Sequence, residues 1–427
     1  MTWLVLIALI FCAACGAPLF VFFGGLALLL FAVVGIDTSA VIIEMYRMAS
    51  APTLVAIPLF TFAGYLMAES KTPERLVNLS RAFFGWMPGG LAIVALIACA
   101  FFTAFTGASG VTIIALGGLL YPMLIKEKYS QKFSLGLLTT SGSLGLLFPP
   151  SLPLILYCLI ARVNVDDLFL AGIVPGIVLI TLLSLYSIYT GATSRVERQP
   201  FNLQNVKKAL FDAIWIVPLP VIILGGIYGG IFTASEAAAV TVVYVLIVEL
   251  FIYRDLKPAK DIPRIAADSM ILVGGVLIIL GCALGLTNYV VDAEVPAKIV
   301  EFMRQHISSK FTFLIILNLC LLVVGCLMDI FSAIIVVVPL ILPIAKEFGV
   351  HPIHLGIIFL TNLEIGYSTP PVGLNLFIGS YRFKRPIPEL CRAAVPFLIV
   401  LLISLVIITY VPDISMGLVK LLRGPDL

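Results

Sequence analysis

Charge is what this sequence has least of. Of 427 residues only 11% are Asp, Glu, Lys or Arg, while 61% are hydrophobic and the mean hydropathy is +1.16. That balance excludes a soluble globular domain, and so sparse a charge set offers nothing to hold nucleic acid. Histidine is scarce too: His306, His351 and His354 fall near segment ends and are expected at the surface, not on a metal. There is no HExxH, no GxSxG and no paired His or Asp set across the apolar segments, so an intramembrane enzyme lacks its parts. Cys12 and Cys15 form a CxxC without a second pair or a His beside it. With Cys99, Cys158, Cys282, Cys320, Cys326 and Cys391 they read as small core hydrophobes. No basic stretch precedes the apolar start, so Trp3–Val34 reads as membrane helix and not as a cleaved leader.

What remains is an all-α polytopic membrane protein. The run at 3–34 is too long for one span, and Gly16-Ala17-Pro18 divides it. A third span covers Ala51–Met67. Pro73–Phe83 places Leu76, Leu79 and Phe83 at helical spacing and reads as an amphipathic helix at the bilayer surface. Gly89–Phe105 and Val111–Leu124 flank a small polar break, Thr106–Gly110. Each arm is too short for a hydrocarbon core of about 30 Å, so 89–124 reads as a re-entrant hairpin. A broken helix at 132–161 and a span at 168–192 complete a first repeat, residues 1–192. A polar linker at 193–208 carries Arg195, Arg198, Lys207 and Lys208.

Residues 209–427 repeat this order. Spans are expected at 211–231, 236–253 and 266–289, then an amphipathic segment Pro296–Arg304. A hairpin at 311–345 breaks near Met328-Asp329; a broken helix at 354–381 and a span at 392–411 follow. Pro122 and Pro343, Gly145 and Gly366, Pro149 and Pro370, and Pro175 and Pro396 are all 221 residues apart. Four coincidences in one element order imply a duplication. Five crossings per repeat, an odd number, make the two repeats inverted. If the linkers at 68–88, 125–132, 193–210, 254–264 and 382–392 face the cytoplasm, they hold eighteen of the 26 Lys and Arg. That distribution puts both termini outside.

The two broken helices carry the chemistry. Thr139–Pro153 reads TTSGSLGLLFPPSLP and Thr361–Asn375 reads TNLEIGYSTPPVGLN. Two adjacent prolines remove two backbone donors and clash with the preceding turn, so each helix must open there. Open backbone at membrane depth is tolerated only where protein buries it or it lines a polar cavity, and paired breaks in two halves point to a transporter's binding site. Hydroxyl, amide and carbonyl oxygens at the breaks and hairpin tips suit a hard cation. The Na⁺ candidates are Ser109, Ser141, Ser143, Asp329, Asn362, Ser368 and Thr369; the substrate candidates are Thr106, Ser151, Tyr367 and Asn375. Asp329, at a hairpin tip, is open to three roles: ligating Na⁺, carrying a proton, or capping the second arm. Glu364 is a weaker candidate that pairs with a buried donor or serves coupling. Glu236 follows Thr233-Ala-Ser and is expected to cap a helix.

Gly230–Val240 (GIFTASEAAAV), Phe148-Pro-Pro-Ser-Leu-Pro153 and Ser368-Thr-Pro-Pro-Val-Gly-Leu-Asn375 together resemble the large membrane subunit of TRAP transporters, the tripartite ATP-independent periplasmic systems. The likeness runs essentially end to end. It implies a bacterial inner-membrane protein that imports organic acids, of the sialic acid or C4-dicarboxylate type, with Na⁺ as coupling ion. It also implies a periplasmic substrate-binding protein and a small four-helix membrane subunit as partners, and an elevator mechanism. A stand-alone ion-coupled permease or antiporter of the same superfamily is the alternative. Thr233-Ala-Ser-Glu236 departs from the Thr-Pro-Thr-Glu frequent in the family, which bears on how that helix starts.

Overall fold

The first hairpin shows how this chain makes its breaks. In the computed structural model, helix Gly90–Thr106 ends at Gly107, whose φ of +64° is a left-handed turn that glycine takes without strain. The chain restarts as Ser109–Lys126. The second hairpin, Lys310–Leu327 and Ile330–Glu347, turns at Met328 and uses Asp329 as the cap of its second arm. The structure describes residues 5, 7–9, 11–12, 17–50, 52–193, 202–294, 298, 301, 303, 307 and 309–424. Cys15, Gly16, Arg195, Arg198, His306 and most of the expected amphipathic segment Pro296–Arg304 lie outside them.

Among the described residues the protein is all-helical. Seven helices are long and apolar enough to cross a membrane, and the first broken helix makes an eighth if its parts count as one span. Three of the seven are hairpin arms, among them Ser109–Lys126, which at 18 residues is longer than the short arm expected at 111–124. Its first part, Gln131–Ser141, runs into a 3₁₀ turn at Leu144–Leu147; after Pro149-Pro150, helix Leu152–Ala161 leaves at 46°. Helix Pro352–Gly366 gives way in the same manner to Pro370-Pro371 and then Leu374–Phe383.

Several expectations shift. The span expected at 211–231 is only Pro218–Tyr228, because Leu203–Asp212 forms a separate amphipathic helix capped by Asn202 where a polar linker was expected. The surface helix Thr72–Phe84 buries Thr72, Leu76, Val77 and Ser80, leaving Leu79 half-buried and Phe83 exposed. Helices Ser39–Ala49 and Asp413–Arg423 are additional. His354 is buried, not at the surface. Its Nδ1 lies 2.7 Å from Ser415 Oγ and its Nε2 3.3 Å from the Thr409 carbonyl, because a buried imidazole needs both nitrogens satisfied. The Thr233–Glu236 start is a complete capping box, so the alanine at 234 does not disturb it.

Helix bounds recur at the 221-residue spacing: Ser109–Lys126 and Ile330–Glu347 are 18 residues each and begin 221 apart. Packing is exchanged between the halves. Helix 109–126 lies on 374–383, and helix 330–347 on 152–161; helix 131–141 lies on 387–410, and helix 352–366 on 165–193. Outside this body, 56–69 packs on 234–247 and 19–34 on 261–292.

The polar linkers gather at the two ends of the bundle. At one end Arg75 pairs with Asp255 at 2.5 Å, Arg264 with Glu69 at 2.7 Å and Arg81 with Glu127 at 2.6 Å, and Gln131 Nε2 donates to Glu389 at 3.4 Å. At the other, Arg423 of the last helix pairs with Asp166 at 3.5 Å and Asp167 at 3.0 Å, beside a ≈ 410 Å³ cleft that includes Thr233 and Glu236.

Candidate functional site

Each break is clamped to its own hairpin by a glycine. A Cβ on Gly145 would stand 2.2 Å from the Ala100 carbonyl oxygen and 2.4 Å from the Ala104 nitrogen. A Cβ on Gly366, 221 residues later, would stand 2.4 Å from the Gly325 carbonyl carbon. No other residue lets these backbones approach so closely. Side chains complete both clamps. Thr103 Oγ1 donates to the Gly142 carbonyl at 2.8 Å and lies 2.6 Å from Thr112 Oγ1. Tyr367 Oη accepts the Ile330 N–H at 2.6 Å, and the Gly373 N–H donates to the Cys326 carbonyl at 3.2 Å.

The two breaks meet each other. Ser143 Oγ lies 3.3 Å from the carbonyl oxygen of Glu364, to which it donates, and Asn375 Nδ2 donates to Ser143 Oγ at 3.4 Å. In the 221-residue register Thr140-Ser141-Gly-Ser143-Leu-Gly145 matches Thr361-Asn362-Leu-Glu364-Ile-Gly366. Ser141, Ser143, Ser151, Asn362, Ser368 and Asn375 are all fully buried. Oxygens of Thr139, Ser151, Asn362, Glu364, Ser368 and Asn375 have no hydrogen-bonding partner, and the Ser141 hydroxyl has only the Cys99 thiol beside it. Buried polar atoms are normally paired, so orphans concentrated in two short segments mark a place that accepts something from outside.

The remaining candidates sit differently. Thr106 Oγ1 turns to the Ala108 carbonyl at 3.4 Å, and Ser109 opens the second arm of the first hairpin. Thr369 is half-buried and donates to the Ile365 carbonyl at 2.9 Å. Asp329 caps the second arm: one oxygen accepts the Ser332 N–H at 3.0 Å, the other its hydroxyl at 2.5 Å. Asn362 spends its amide on Asn318 Oδ1 at 2.7 Å, leaving its own Oδ1 free. Thr103, Thr112 and Asn318 had no proline or glycine beside them to draw notice.

No buried residue is Lys or Arg among those described, and no cluster of His, Cys, Asp and Glu is suited to a transition metal. The orphaned oxygens are hydroxyl, amide and carboxylate, the hard donors an alkali cation takes. They fit Na⁺. Residues 4–414 match the family described as "Tripartite ATP-independent periplasmic transporter, DctM component". The chain belongs to this family. It is a TRAP transporter large permease, a transport protein and not an enzyme, and the tripartite architecture implies a periplasmic binding protein and a small permease partner. The "C4-dicarboxylate TRAP transporter large permease protein DctM" of Vibrio cholerae is 39% identical over 396 residues, 88% of this chain and 87% of that one. The "Ectoine/5-hydroxyectoine TRAP transporter large permease protein UehC" of Ruegeria pomeroyi is 31% identical, with 89% of each chain covered. The crystal structure of the Alcanivorax borkumensis YdaH transporter superposes with a TM-score of 0.63 at 15% identity, over 93% of this chain and 98% of that one, a likeness of fold alone. As a TRAP permease the chain is a multi-pass membrane protein.

Proposed function

We propose that this TRAP permease imports small organic acids into bacteria with Na⁺ as the coupling ion, taking them from a periplasmic binding protein. The observation that carries the reading is the set of orphaned oxygens at the two breaks, in an interior with no buried Lys or Arg among the described residues. An anionic solute entering such an interior finds no fixed cation, so its charge must be balanced by ions that travel with it. Helices 131–141 and 352–366 end at the breaks and offer carbonyls to Na⁺; helices 152–161 and 374–383 begin there and present their positive ends to a carboxylate. Ser141, Ser143, Asn362, Ser368 and the hairpin residue Ser109 would hold Na⁺, with Ser151 and Asn375 toward the solute. Asp329, Tyr367, Thr106 and Thr369 shape the hairpin tips and the second break. The relatives' names span C4-dicarboxylates, ectoine and isethionate, solutes that share an anionic carboxylate or sulfonate group, and that is the class assigned here.

The matching helix bounds and exchanged packing support two inverted repeats, 1–192 and 209–427. On that reading the hairpins and broken helices travel together as an elevator against the helices around 19–69 and 218–292. The test is uptake by proteoliposomes holding this chain with its small partner, driven by the loaded binding protein. A Na⁺ gradient should drive accumulation; equal uptake with K⁺ in its place refutes the coupling.

A further inference from the structure

The second break holds a charge that the first lacks. In the 221-residue register Glu364 stands where the first half has Ser143, and the two positions touch through the Ser143 hydroxyl and the Glu364 carbonyl at 3.3 Å. The Glu364 side chain is 1% exposed, and neither carboxylate oxygen has a hydrogen-bonding partner. It sits in the last turn of helix 352–366, where unpaired carbonyls already form the negative end of the helix dipole. None of the buried residues among those described is Lys or Arg, so no cation among them answers it. A carboxylate so placed cannot stand as an isolated charge and must take up either a proton or a cation beside it.

Other orphaned acceptors belong to the same break and to the residue that joins it to Ser143. Ser368 lies four residues on and has a free hydroxyl; Asn375 keeps its free Oδ1 while its amide reaches Ser143. We propose that Glu364 is the fixed counter-charge of one Na⁺ held between the two broken helices, with an oxygen drawn from Ser368 and Asn375 on its solute side. The inference rests on the Na⁺-coupled reading and adds an order of events. Without the cation, Glu364 offers a substrate carboxylate either a like charge or a neutral acid with no counter-charge, so Na⁺ binds first and does not need substrate to bind.

The experiment is a Na⁺ titration of the thermal unfolding midpoint, on the chain with its small partner in detergent, without substrate, K⁺ keeping ionic strength constant. Na⁺ should raise the midpoint of the parent protein. Glu364→Gln should need at least about tenfold more Na⁺ for half the effect, since it leaves the cation without its charge partner. Glu236→Gln, which touches only a helix cap, should titrate like the parent. A Glu364→Gln response within about twofold of the parent overturns the assignment while leaving Na⁺ coupling intact; no Na⁺ response in the parent fails the coupled reading itself. If Glu364→Gln does not assemble, the parent is treated with dicyclohexylcarbodiimide and the peptide carrying Glu364 is read by mass spectrometry. Modification in K⁺ and protection in Na⁺ is expected. Equal modification in the two salts, including none in either, overturns the proposal.

Discussion

Gly366→Ala should push the second break off its hairpin. The added Cβ would meet the Gly325 carbonyl carbon at 2.4 Å, its Cα at 2.6 Å and its oxygen at 2.8 Å. All three are backbone atoms, so no rotamer change relieves the contact. Ordinary van der Waals distance requires the two segments to separate by roughly 1 Å, a strain of about 1–3 kcal/mol. The hydrogen bonds that span the same seam, Ile330 N–H to Tyr367 Oη and Gly373 N–H to the Cys326 carbonyl, stretch with it. Gly274→Ala is the control: nothing lies within 4 Å of its Cβ, and a helical Gly→Ala change there should be neutral or stabilising by about 0.5–1 kcal/mol. The assay pairs thermal unfolding in detergent with uptake in proteoliposomes. Gly366→Ala should lower both the midpoint and the rate, and Gly145→Ala should match it. A Gly366→Ala protein with the parent's midpoint and uptake would refute the close approach on which the site's geometry depends.

Three further outcomes are expected. Asp329→Ala should cost about 0.5–2 kcal/mol of stability as a lost cap, whereas Asp329→Asn, which keeps an acceptor for the Ser332 N–H, should retain most stability and uptake; loss of Na⁺ dependence in Asp329→Asn would show that the charge matters beyond capping. Ser141→Ala and Ser368→Ala should raise the Na⁺ concentration for half-maximal uptake with little change in unfolding midpoint, because neither hydroxyl has an oxygen or nitrogen partner to lose. Cysteines placed by Lys257→Cys and Lys384→Cys should resist an impermeant maleimide added outside intact cells, and labelling of either would reverse the assigned orientation.

Backbone disruption was the legible part of this sequence. Pro-Pro pairs, glycines at the hairpin tip and the Thr233–Glu236 cap act through local geometry, so their positions could be read directly. Tertiary contact was not legible in the same manner. His354 looked like a surface group because it follows a polar segment end, and only the later helix at 413–423 supplies the Ser415 that buries it. Helix 203–212 hid in a stretch of Asn, Gln and Lys, although Val206 and Ala209 mark its buried stripe. Gly145 and Gly366 were visible as a repeated spacing, but their reason, a backbone pressed against each, lives in the hairpins. Glu364 stood out only weakly, since a carboxylate's lack of partners is a property of everything packed around it.

The exchanged packing of the halves also bears on how the chain is made. Helix 152–161 is covered by helix 330–347, and helix 374–383 by helix 109–126. A ribosome delivers the first Pro-Pro break with its own hairpin and helix 165–193 to pack on, but well before its contacts from the second half exist. Until residues 330–383 arrive, helix 152–161 lacks helix 330–347 and Ser143 lacks the Asn375 amide. The N-terminal half therefore completes its own break's backbone packing but not the face that meets the second half. By the same logic, the two halves made as separate chains should seek each other, since each carries the surface that the other's break lacks.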